Sequence, residues 1–477
     1  MSTDKTPLVL DVDGTFLKTD MLFECFWAGL GKDPLGVIKT SIRHFREPAV
    51  LKAKLAEIAT VNTGLMPVVP EVKAKAEAAM AEGREVILAS ASDQSQVKQL
   101  AADHGFSETV FASDGQTNLK GKAKAAALVE AYGASGFDYA GNEPTDMPIW
   151  NEARAAIVVG DAASAKTLTT AGKPVEEIEQ DWTPRALIKA LRPHQYVKNV
   201  LLFLPALAAH AFDLGTLALV LLGIAAFSMA ASSIYIINDL LDLEADRLHP
   251  KKCRRPFAAG TVPIRIGMIT YAVLTVVSLS IAASLGPAFL GVILVYIVLS
   301  LAYSLKLKRM RWVDIAVLAT LYTLRVVAGA AASGVDASVF MLIFIFPVFI
   351  ALGCVKRMTE LALATTDDRL PGRGYGRPDM GDLLNVAGLG TVGALLIFFM
   401  YSFSEQAVTL YPTRWILWLA LVPLAAWLLR MVRLGYQGKQ DYDPIVFAMR
   451  DKKGLGLIMI TLGLMFYAAG LYAQWFG

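Results

Sequence analysis

Long apolar stretches dominate the chain after about residue 185, whereas the earlier part alternates short apolar runs with polar segments. Each long stretch has nearly the length that an α-helix needs to cross a hydrocarbon core of ~30 Å. The pattern predicts nine membrane-spanning helices, near residues 199–215, 217–237, 266–284, 287–304, 312–333, 338–354, 384–403, 413–430 and 455–475.

The earlier part has the pattern of an α/β fold. Short apolar runs at 7–11, 86–90 and 137–142 end in polar residues, as buried strands of a parallel sheet do. Residues 17–80 have helical spacing and predict a cap over the sheet. We therefore expect a multidomain protein, with a Rossmann-like α/β domain and an all-α polytopic membrane domain. The predicted boundaries are 1–175 for the first domain, 176–196 for a linker with an interfacial amphipathic helix, and 197–477 for the membrane domain.

Charge divides the chain in the same way. Residues 1–180 hold 18 Lys and Arg against 25 Asp and Glu, and the remainder holds 27 against 17. Basic loops follow alternate apolar stretches, and positive loops mark the cytoplasmic side of a membrane. The pattern predicts a multi-pass protein of the bacterial inner membrane, with the N-terminal domain in the cytoplasm and no nucleic-acid partner. Three scattered cysteines, Cys25, Cys253 and Cys354, form no metal-binding pattern and suggest a reducing compartment.

One polar segment follows the second apolar stretch. It carries Asp239, Asp242 and Asp246, which on a helix would lie on roughly one face and repel one another. Mg²⁺ would remove that repulsion, since it binds carboxylates together with substrate phosphates. A solvated charged loop is the alternative interpretation. Cations that a diphosphate would need come next: Lys251, Lys252, Arg254 and Arg255.

Asn238–Asp246 resembles the first aspartate-rich motif of the UbiA superfamily of membrane prenyltransferases, N-D-x-x-D-x-x-x-D. The tail H-P-x-K-x-x-R-P, from His249 to Pro256, is similar to the branch of decaprenyl-phosphate phosphoribosyltransferases. That resemblance implies Mg²⁺ at the three aspartates, phosphoribosyl diphosphate as donor and a polyprenyl phosphate lipid as acceptor. The second D-x-x-x-D motif of the aromatic prenyltransferases does not follow in this sequence.

The same resemblance, together with basic residues that follow the sixth apolar stretch, gives further substrate-binding candidates. A Y-S-x-x-L-K motif of the branch is matched with slightly different spacing, and R-P-x-Q-x-x-K-N and L-R-x-x-A-G strings also occur. Arg325 lies inside an apolar stretch, where a cation is costly and often functional; its alternative interpretation is a structural partner for an acid such as Asp314. The candidates are Lys198, Asn199, Asn238, Lys252, Arg255, Tyr303, Lys306, Asp314, Arg325, Lys356, Arg357 and Arg377.

Paired carboxylates mark the first predicted strand, which runs into Asp11-Val-Asp13-Gly14-Thr15. One carboxylate at a strand end can attack phosphorus while its neighbour transfers protons. The segment resembles motif I of haloacid-dehalogenase-type phosphatases, which implies Asp11 as nucleophile and Asp13 as general acid and base.

The other phosphatase motifs follow in order by the same resemblance. Ser90 fits the phosphoryl-binding hydroxyl, with Ser92 as the alternative, and Lys124 fits the cation beside the nucleophile. The metal ligands would be Asp11, Asp13, Asn142 and Asp146. Asn142 departs from the family pattern, in which an aspartate stands at this position, so the site would have one negative charge fewer.

These observations predict a two-step enzyme. The membrane domain would transfer 5-phosphoribose to a polyprenyl phosphate, and the N-terminal domain would remove the 5-phosphate, in the synthesis of a lipid-linked arabinofuranose donor. Two alternatives remain: an aromatic polyprenyltransferase of the 4-hydroxybenzoate or haem type, and an N-terminal domain that binds without catalysis. The sequence leaves the oligomeric state open, including a homo-oligomer.

Overall fold

The structure is a computed structural model that describes residues 6–180, 182–336, 338–364, 369–370, 373–440 and 443–476 of the 477-residue chain. The chain divides into two compact units. The first joins residues 1–191 to residues 235–271, and the second joins residues 192–234 to residues 272–477. The aspartate-rich segment therefore belongs to the same unit as the N-terminal α/β region.

Six parallel strands form the centre of the first unit: β1 Leu8–Leu10, β2 Val86–Asp93, β3 Val110–Ser113, β4 Asp138–Gly141, β5 Ala156–Val159 and β6 Val175–Ile178. Their spatial order is β3-β2-β1-β4-β5-β6. This is a doubly wound order that reverses direction beside β1, and ligands bind such sheets at the carboxyl ends of the strands at that point. The parallel α/β prediction is confirmed, and β6 extends past the predicted boundary at residue 175.

Helices cover both faces of the sheet and connect its strands. Their bounds are α1 Met21–Lys32, α2 Pro34–Arg43, α3 Pro48–Ile58, α4 Pro70–Ala81, α5 Gln94–His104, α6 Lys122–Tyr132, α7 Met147–Glu152, α8 Ala162–Thr170 and α9 Pro184–Ala190. The first three form a cap with its own small core of Cys25, Val37 and Leu55. In contrast, α4 places Val72 and Ala76 in the main core under the sheet, so the cap is shorter than the predicted 17–80.

Helices make up the rest of the described chain. They are α10 Leu204–Ala208, α11 Leu214–Leu241, α12 Leu243–Leu248, α13 Ile264–Leu285, α14 Pro287–Leu305, α15 Val313–Ser333, α16 Val339–Ala362, α17 Met380–Tyr401, α18 Glu405–Leu410, α19 Trp415–Tyr436, α20 Pro444–Ala448, α21 Lys452–Ala468 and α22 Leu471–Phe476. Among the described residues, seven helices are long and apolar enough to cross a membrane: α11, α13 to α17, and α19.

Seven such helices differ from the nine predicted, and both exceptions have a local cause. The first apolar stretch becomes a 3-10 helix, Pro193–Phe203, followed by the short α10. Pro205 at the start of α10 cannot donate the backbone hydrogen bond that would continue a longer helix. The last stretch divides into α21 and α22 at Gly470, whose φ of 72° ends the helix.

Candidate active sites

The end of β1 places Asp11 at the switch point of the sheet. Lys124, in the first turn of α6, extends back to it, and its Nζ lies 2.6 Å from Asp11 Oδ1. The same Nζ donates to the carbonyl of Ala89, at 3.1 Å, and lies 3.1 Å from the Tyr139 hydroxyl. Lys124 and Asp11 are both buried. The structure therefore brings together the predicted nucleophile and its predicted cation from positions 113 residues apart.

Asp13 accepts hydrogen bonds from the predicted phosphoryl-binding strand. Ser92 Oγ donates to Asp13 Oδ2 at 2.6 Å, whereas Ser90 Oγ is 3.4 Å from that oxygen and accepts from the Ser92 backbone N–H. The other oxygen, Oδ1, accepts from the backbone N–H of Met21 at 2.8 Å. Both serines are thus close to the general acid candidate, and Ser92 makes the shorter contact.

Asn142 and Asp146 lie at the end of β4, beside the Asp11 turn. Thr15 Oγ1 donates to Asn142 Oδ1 at 3.1 Å, and Asp146 Oδ2 accepts from the Asn142 N–H at 3.1 Å. Gly14 is required here for two reasons. Its φ is 77°, and a Cβ added to it would lie 2.3 Å from Asn142 Nδ2. The DxDGT turn and Asn142 are therefore packed directly against each other.

Burial controls the electrostatics of this site. It raises the pKa of Asp11 to about 7 even though Lys124 opposes the change. It also raises the pKa of Asp20 to about 7, with the Asp13 carboxylate adding to the effect. Such shifts are common where charged groups are held in place for catalysis or ligand binding.

Two cap residues, Asp20 and Lys52, were missed by the sequence reasoning. Lys52 in α3 donates to the carbonyl of Ala91 at 2.7 Å, and burial lowers its pKa against the opposing effect of Asp13 and Asp20. Nothing in the sequence distinguishes Lys52 from other lysines of the cap. Asp20 has a signal, because it directly precedes α1 and its side chain caps that helix by accepting from the Phe23 N–H.

A metal ion would find hard oxygen donors in this site. Asp11, Asp13 and the amide oxygen of Asn142 are the donor types that Mg²⁺ prefers. Across the described residues, no group of three His, Cys, Asp or Glu side chains is arranged to hold a metal, and Asn142 supplies an amide where a third acid would stand. The donor set fits Mg²⁺ with reduced charge.

The aspartate-rich segment differs from the predicted single helix. Helix α11 ends at Leu241, Asp242 has a non-helical ψ of 16°, and α12 begins at Leu243. Asp239 and Asp246 still come together, because Arg255 Nη1 lies 3.1 Å from Asp239 Oδ1 and 2.7 Å from Asp246 Oδ2. Aspartates at one-turn spacing on a helix repel one another. Here the turn at Asp242 interrupts the helix, and Arg255 compensates the charges of Asp239 and Asp246.

The same segment keeps an unsatisfied acceptor. Asn238 Oδ1 is buried and has no hydrogen-bond partner among the described residues, which is costly unless a ligand or ion satisfies it. Burial raises the pKa of Asp246, and Arg255 opposes that rise. Lys252 is exposed after the turn. The oxygens of Asn238, Asp239 and Asp246 are of the type that binds Mg²⁺, and the ammonium group of Lys252 is of the type that binds a diphosphate.

A buried ion pair joins the cap to this segment. Arg247 Nη2 lies 2.6 Å from Glu24 Oε1, and Arg247 Nη1 lies 3.1 Å from Glu24 Oε2. Thr19 Oγ1 also donates to Glu24, at 2.6 Å. Breaking a buried pair costs about 3–5 kcal/mol, so the contact is a specific link between two segments of the first unit that are 223 residues apart.

In the second unit, two predicted substrate-binding lysines share one carboxylate. Lys198 Nζ lies 2.5 Å and Lys356 Nζ 3.8 Å from Asp443 Oδ2, to which the Tyr322 hydroxyl donates at 3.2 Å. Burial would raise the pKa of Asp443, but the lysines lower it well below its usual range. Asp443 was not predicted, because its two lysines lie far away in the sequence. With both lysines and the aspartate ionised, these three side chains have a net charge of +1.

Another predicted group consists of residues that bind one another. Arg357 lies 2.5 Å from Asp314 through Nε, and its Nη2 donates to Tyr303 at 2.9 Å. Arg357 Nη1 also pairs with Glu360. Arg373, which lies in the basic loop before Arg377, donates to the Tyr303 hydroxyl at 3.0 Å. Because Asp314 and Arg357 are fully buried, they position Tyr303 and Arg373.

Arg325 is buried among aromatic rings and does not pair with Asp314. Its Nε donates to Asn199 Oδ1 at 3.1 Å, and Asn199 Nδ2 donates to Ser228 at 2.8 Å. Its guanidinium carbon lies 4.9 Å from the centroid of Phe227. Rings and a neutral amide therefore surround this cation, so the alternative interpretation of Arg325 as the partner of Asp314 is wrong.

The remaining candidates lie on the surface. Lys306 is exposed at the end of α14. Arg377 is exposed too, and its Nη2 donates to the carbonyl of Ala364 at 3.0 Å. The basic loop that precedes it falls partly outside the described residues.

Comparison with known proteins connects this geometry to a family. The profile of the UbiA prenyltransferase family matches residues 200–453. The chain belongs to the UbiA prenyltransferase family. The match covers more than half of the chain and includes the aspartate-rich segment, while the α/β region lies outside it.

Individual relatives differ in how much of the chain they match. The Uncharacterized protein y4nM of Sinorhizobium fredii is 34% identical over 456 residues, which are 94% of this chain and 88% of that protein. Its similarity therefore includes the α/β region. The Decaprenyl-phosphate phosphoribosyltransferase of Mycobacterium tuberculosis is 33% identical over 273 residues, which are 56% of this chain and 88% of that protein.

Similarity to solved structures is lower. A UbiA homologue from Archaeoglobus fulgidus, solved with GPP and Mg²⁺, is 14% identical, with 60% of this chain and 99% of that chain covered and a TM-score of 0.46.

Proposed function

We propose that this UbiA-family protein transfers 5-phosphoribose from phosphoribosyl diphosphate to a polyprenyl phosphate. The buried Asn238 Oδ1, which has no hydrogen-bond partner among the described residues, carries the proposal. Asn238 directly precedes Asp239, one of the two carboxylates that Arg255 contacts, and an unsatisfied acceptor in such a segment suits a metal–diphosphate ligand. The similarity to a protein named decaprenyl-phosphate phosphoribosyltransferase supports this choice of donor and acceptor.

In this reaction a phosphate oxygen of the lipid forms a bond to the anomeric carbon of ribose. The bond from that carbon to diphosphate breaks, and diphosphate leaves with the electron pair. Asp239, Asp242 and Asp246 would hold Mg²⁺, which neutralises charge on diphosphate when it is bound. Arg255 pairs with Asp239 and Asp246, and it would be able to bind a phosphate oxygen if these two acids held Mg²⁺ instead.

In the second unit, the Lys198–Asp443–Lys356 cluster is a candidate for binding a substrate phosphate, because a phosphate group requires cations. One aspartate between two lysines holds their ammonium groups in place and leaves surplus positive charge. Arg373, held by Tyr303 and Asp314, is a second candidate for a phosphate. We assign these residues to substrate binding and Asp314, Arg325 and Arg357 to positioning, since their partners are within the protein.

The N-terminal domain has a second candidate function, removal of the 5-phosphate from the lipid product. The contact of Asp11 with Lys124 favours it. Asp11 would attack phosphorus through the oxygen that Lys124 leaves available, and Asp13 would give a proton to the departing ribose oxygen. Water would then hydrolyse the aspartyl phosphate. A domain that binds without catalysis is the alternative, because Asn142 lowers the charge available to a metal.

One assay separates the two classes of transferase. The purified full chain receives radiolabelled phosphoribosyl diphosphate with decaprenyl phosphate, or farnesyl diphosphate with 4-hydroxybenzoate. We expect label to enter the lipid fraction in the first mixture, with release of diphosphate. Prenylation of 4-hydroxybenzoate without transfer of the sugar would establish the aromatic alternative. We place the N-terminal domain in the cytoplasm from the basic loops.

A further inference from the structure

Helix α2 of the cap directs its large apolar side chains outward. Leu35, Ile38 and Ile42 follow the i, i+3, i+7 spacing of one helix face, and their exposed fractions are 80%, 47% and 76%. Phe45, just beyond the helix, is 75% exposed. Within α2 only Val37 is buried. We call these four residues the apolar row. Their side chains contact water instead of the core of the cap.

Exposed cations accompany the apolar row: Lys32, Lys39, Arg43 and Arg46. The two acids of the same segment are occupied within it. Asp33 caps α2 by accepting from the Gly36 N–H, and Glu47 pairs with His44 at 2.8 Å. Residues 32–47 thus carry four cations against two acids, whereas residues 1–180 as a whole are acidic. Apolar and basic residues side by side are typical of helices that lie in a membrane interface.

The position of the cap within the first unit indicates where this helix lies. Trp27 of α1 packs edge-to-face on Tyr271, with ring centroids 6.4 Å apart. Tyr271 lies two turns into α13, one of the seven helices able to cross a membrane. Arg247 holds α1 through Glu24 as well. Since Val37 of α2 shares the small cap core with Cys25 of α1, α2 is held close to the end of a membrane helix.

We propose that α2 docks on the surface of the bilayer, with the apolar row among the upper acyl chains and its cations at anionic lipid headgroups. Burial of apolar area and attraction to anionic lipid together make such helices bind. Docking would hold the cap, with Lys52 and Asp20, beside phosphates carried on lipids. The docking itself does not depend on whether the N-terminal domain is a phosphatase.

Lipid quenching of a fluorophore tests the proposal in the full chain. Cys25 and Cys354 are buried, so replacement of Cys253 by Ser gives a parent with little labelling. Ile42→Cys is labelled with nitrobenzoxadiazole in nanodiscs of phosphatidylcholine and phosphatidylglycerol, with and without lipids that carry a nitroxide at acyl carbon 5. We expect quenching by about half at position 42, as for a helix buried to the acyl boundary.

Thr170→Cys is the matched control, because this exposed residue lies on α8, on another helix of the same unit. We expect little quenching there. Equal, weak quenching at positions 42 and 170 would overturn the proposal. A blue shift at position 42 that grows with protein concentration in detergent, without lipid quenching, would also overturn it and would point to a second copy of the chain.

The charge contribution has its own test. Replacement of Lys39, Arg43 and Arg46 by Gln, or omission of phosphatidylglycerol, should lower the quenching at position 42. Unchanged quenching would contradict the role of the cations. Because fluorescence requires no turnover, a failure of docking is distinguished from a failure of the phosphatase or transferase assay.

Discussion

Two buried clusters, one in each unit, have opposite excess charge. In the first, Lys124 faces Asp11. Burial is the main cause of the raised pKa of Asp11, and the nearby carboxylates of Asp146 and Asp13 raise it further. In the second, Asp443 faces Lys198 and Lys356, which lower its pKa despite burial. A buried charge is tolerated only when it is compensated. The acid-rich cluster is therefore suited to a cation, and the lysine-rich cluster to a phosphate.

The largest effect is expected from the acid-rich cluster. Asp11→Asn removes the proposed nucleophile and should slow dephosphorylation of the lipid product by on the order of 10⁴-fold or more, with transfer unchanged. Mass spectrometry of the lipids should show that the 5-phosphorylated form accumulates. Asp161→Asn, which alters the cap of α8, is the matched control. If wild type also stops at the 5-phosphorylated lipid, the N-terminal domain is not this phosphatase.

The next effect concerns the lysine-rich cluster. Asp443→Asn removes the carboxylate beside the buried Lys198 and the half-buried Lys356 and should cost about 3–5 kcal/mol of stability. Thermal unfolding in detergent, followed by tryptophan fluorescence, measures the loss. The exposed Asp213→Asn is the matched control: the new amide oxygen can still accept the Thr216 N–H at the start of α11, so the free energy of unfolding should change little.

That stability difference should also depend on pH. Folding lowers the pKa of Asp443, so its contribution is fully present above the unfolded value of about 3.9 and is lost as the pH falls below it. Wild type and Asp443→Asn should therefore converge in acid. A constant difference from pH 7 to pH 3 would contradict the ionised state of Asp443.

The third prediction concerns the Mg²⁺ site that we propose in the aspartate-rich segment. Asp239→Asn should slow transfer by about 100-fold or more while the protein stays folded, since a lost group that stabilises charge costs ~3 kcal/mol. Initial rates of diphosphate release give the effect, and EDTA should reproduce it in wild type. Glu244→Gln in the same segment is exposed and should change little. Wild-type rates in Asp239→Asn would remove the metal assignment.

The smallest effect is expected at Asn142, where the acid-rich cluster has an amide in place of the aspartate of the phosphatase family. Asn142→Asp adds a carboxylate beside Thr15 and should lower the Mg²⁺ concentration for half-maximal dephosphorylation by about tenfold. Titration of phosphate release against Mg²⁺ measures the change. Activity that appears only in Asn142→Asp would identify the asparagine as the reason why the wild-type domain binds without catalysis.

Local patterns in the sequence were sufficient for the strands that directly precede Asp11 and Asn142 and for the seven long apolar helices. A strand, a turn glycine and an apolar helix depend on residues close together in the chain, so periodicity and composition report them. The same patterns overestimated the number of membrane helices, because Pro205 and Gly470 divide apolar stretches that composition alone treats as continuous.

The sequence by itself determined the α/β character of the first region, the seven long apolar helices, and the candidates Asp11, Lys124, Lys198 and Lys356 of the two charge clusters. Only the tertiary structure decided the partners. Asp443 meets Lys198, Arg325 meets Asn199, and Arg247 meets Glu24 across more than 120 residues in each case. The energy of a buried charge depends on which distant group packing brings to it, and no local pattern contains that information.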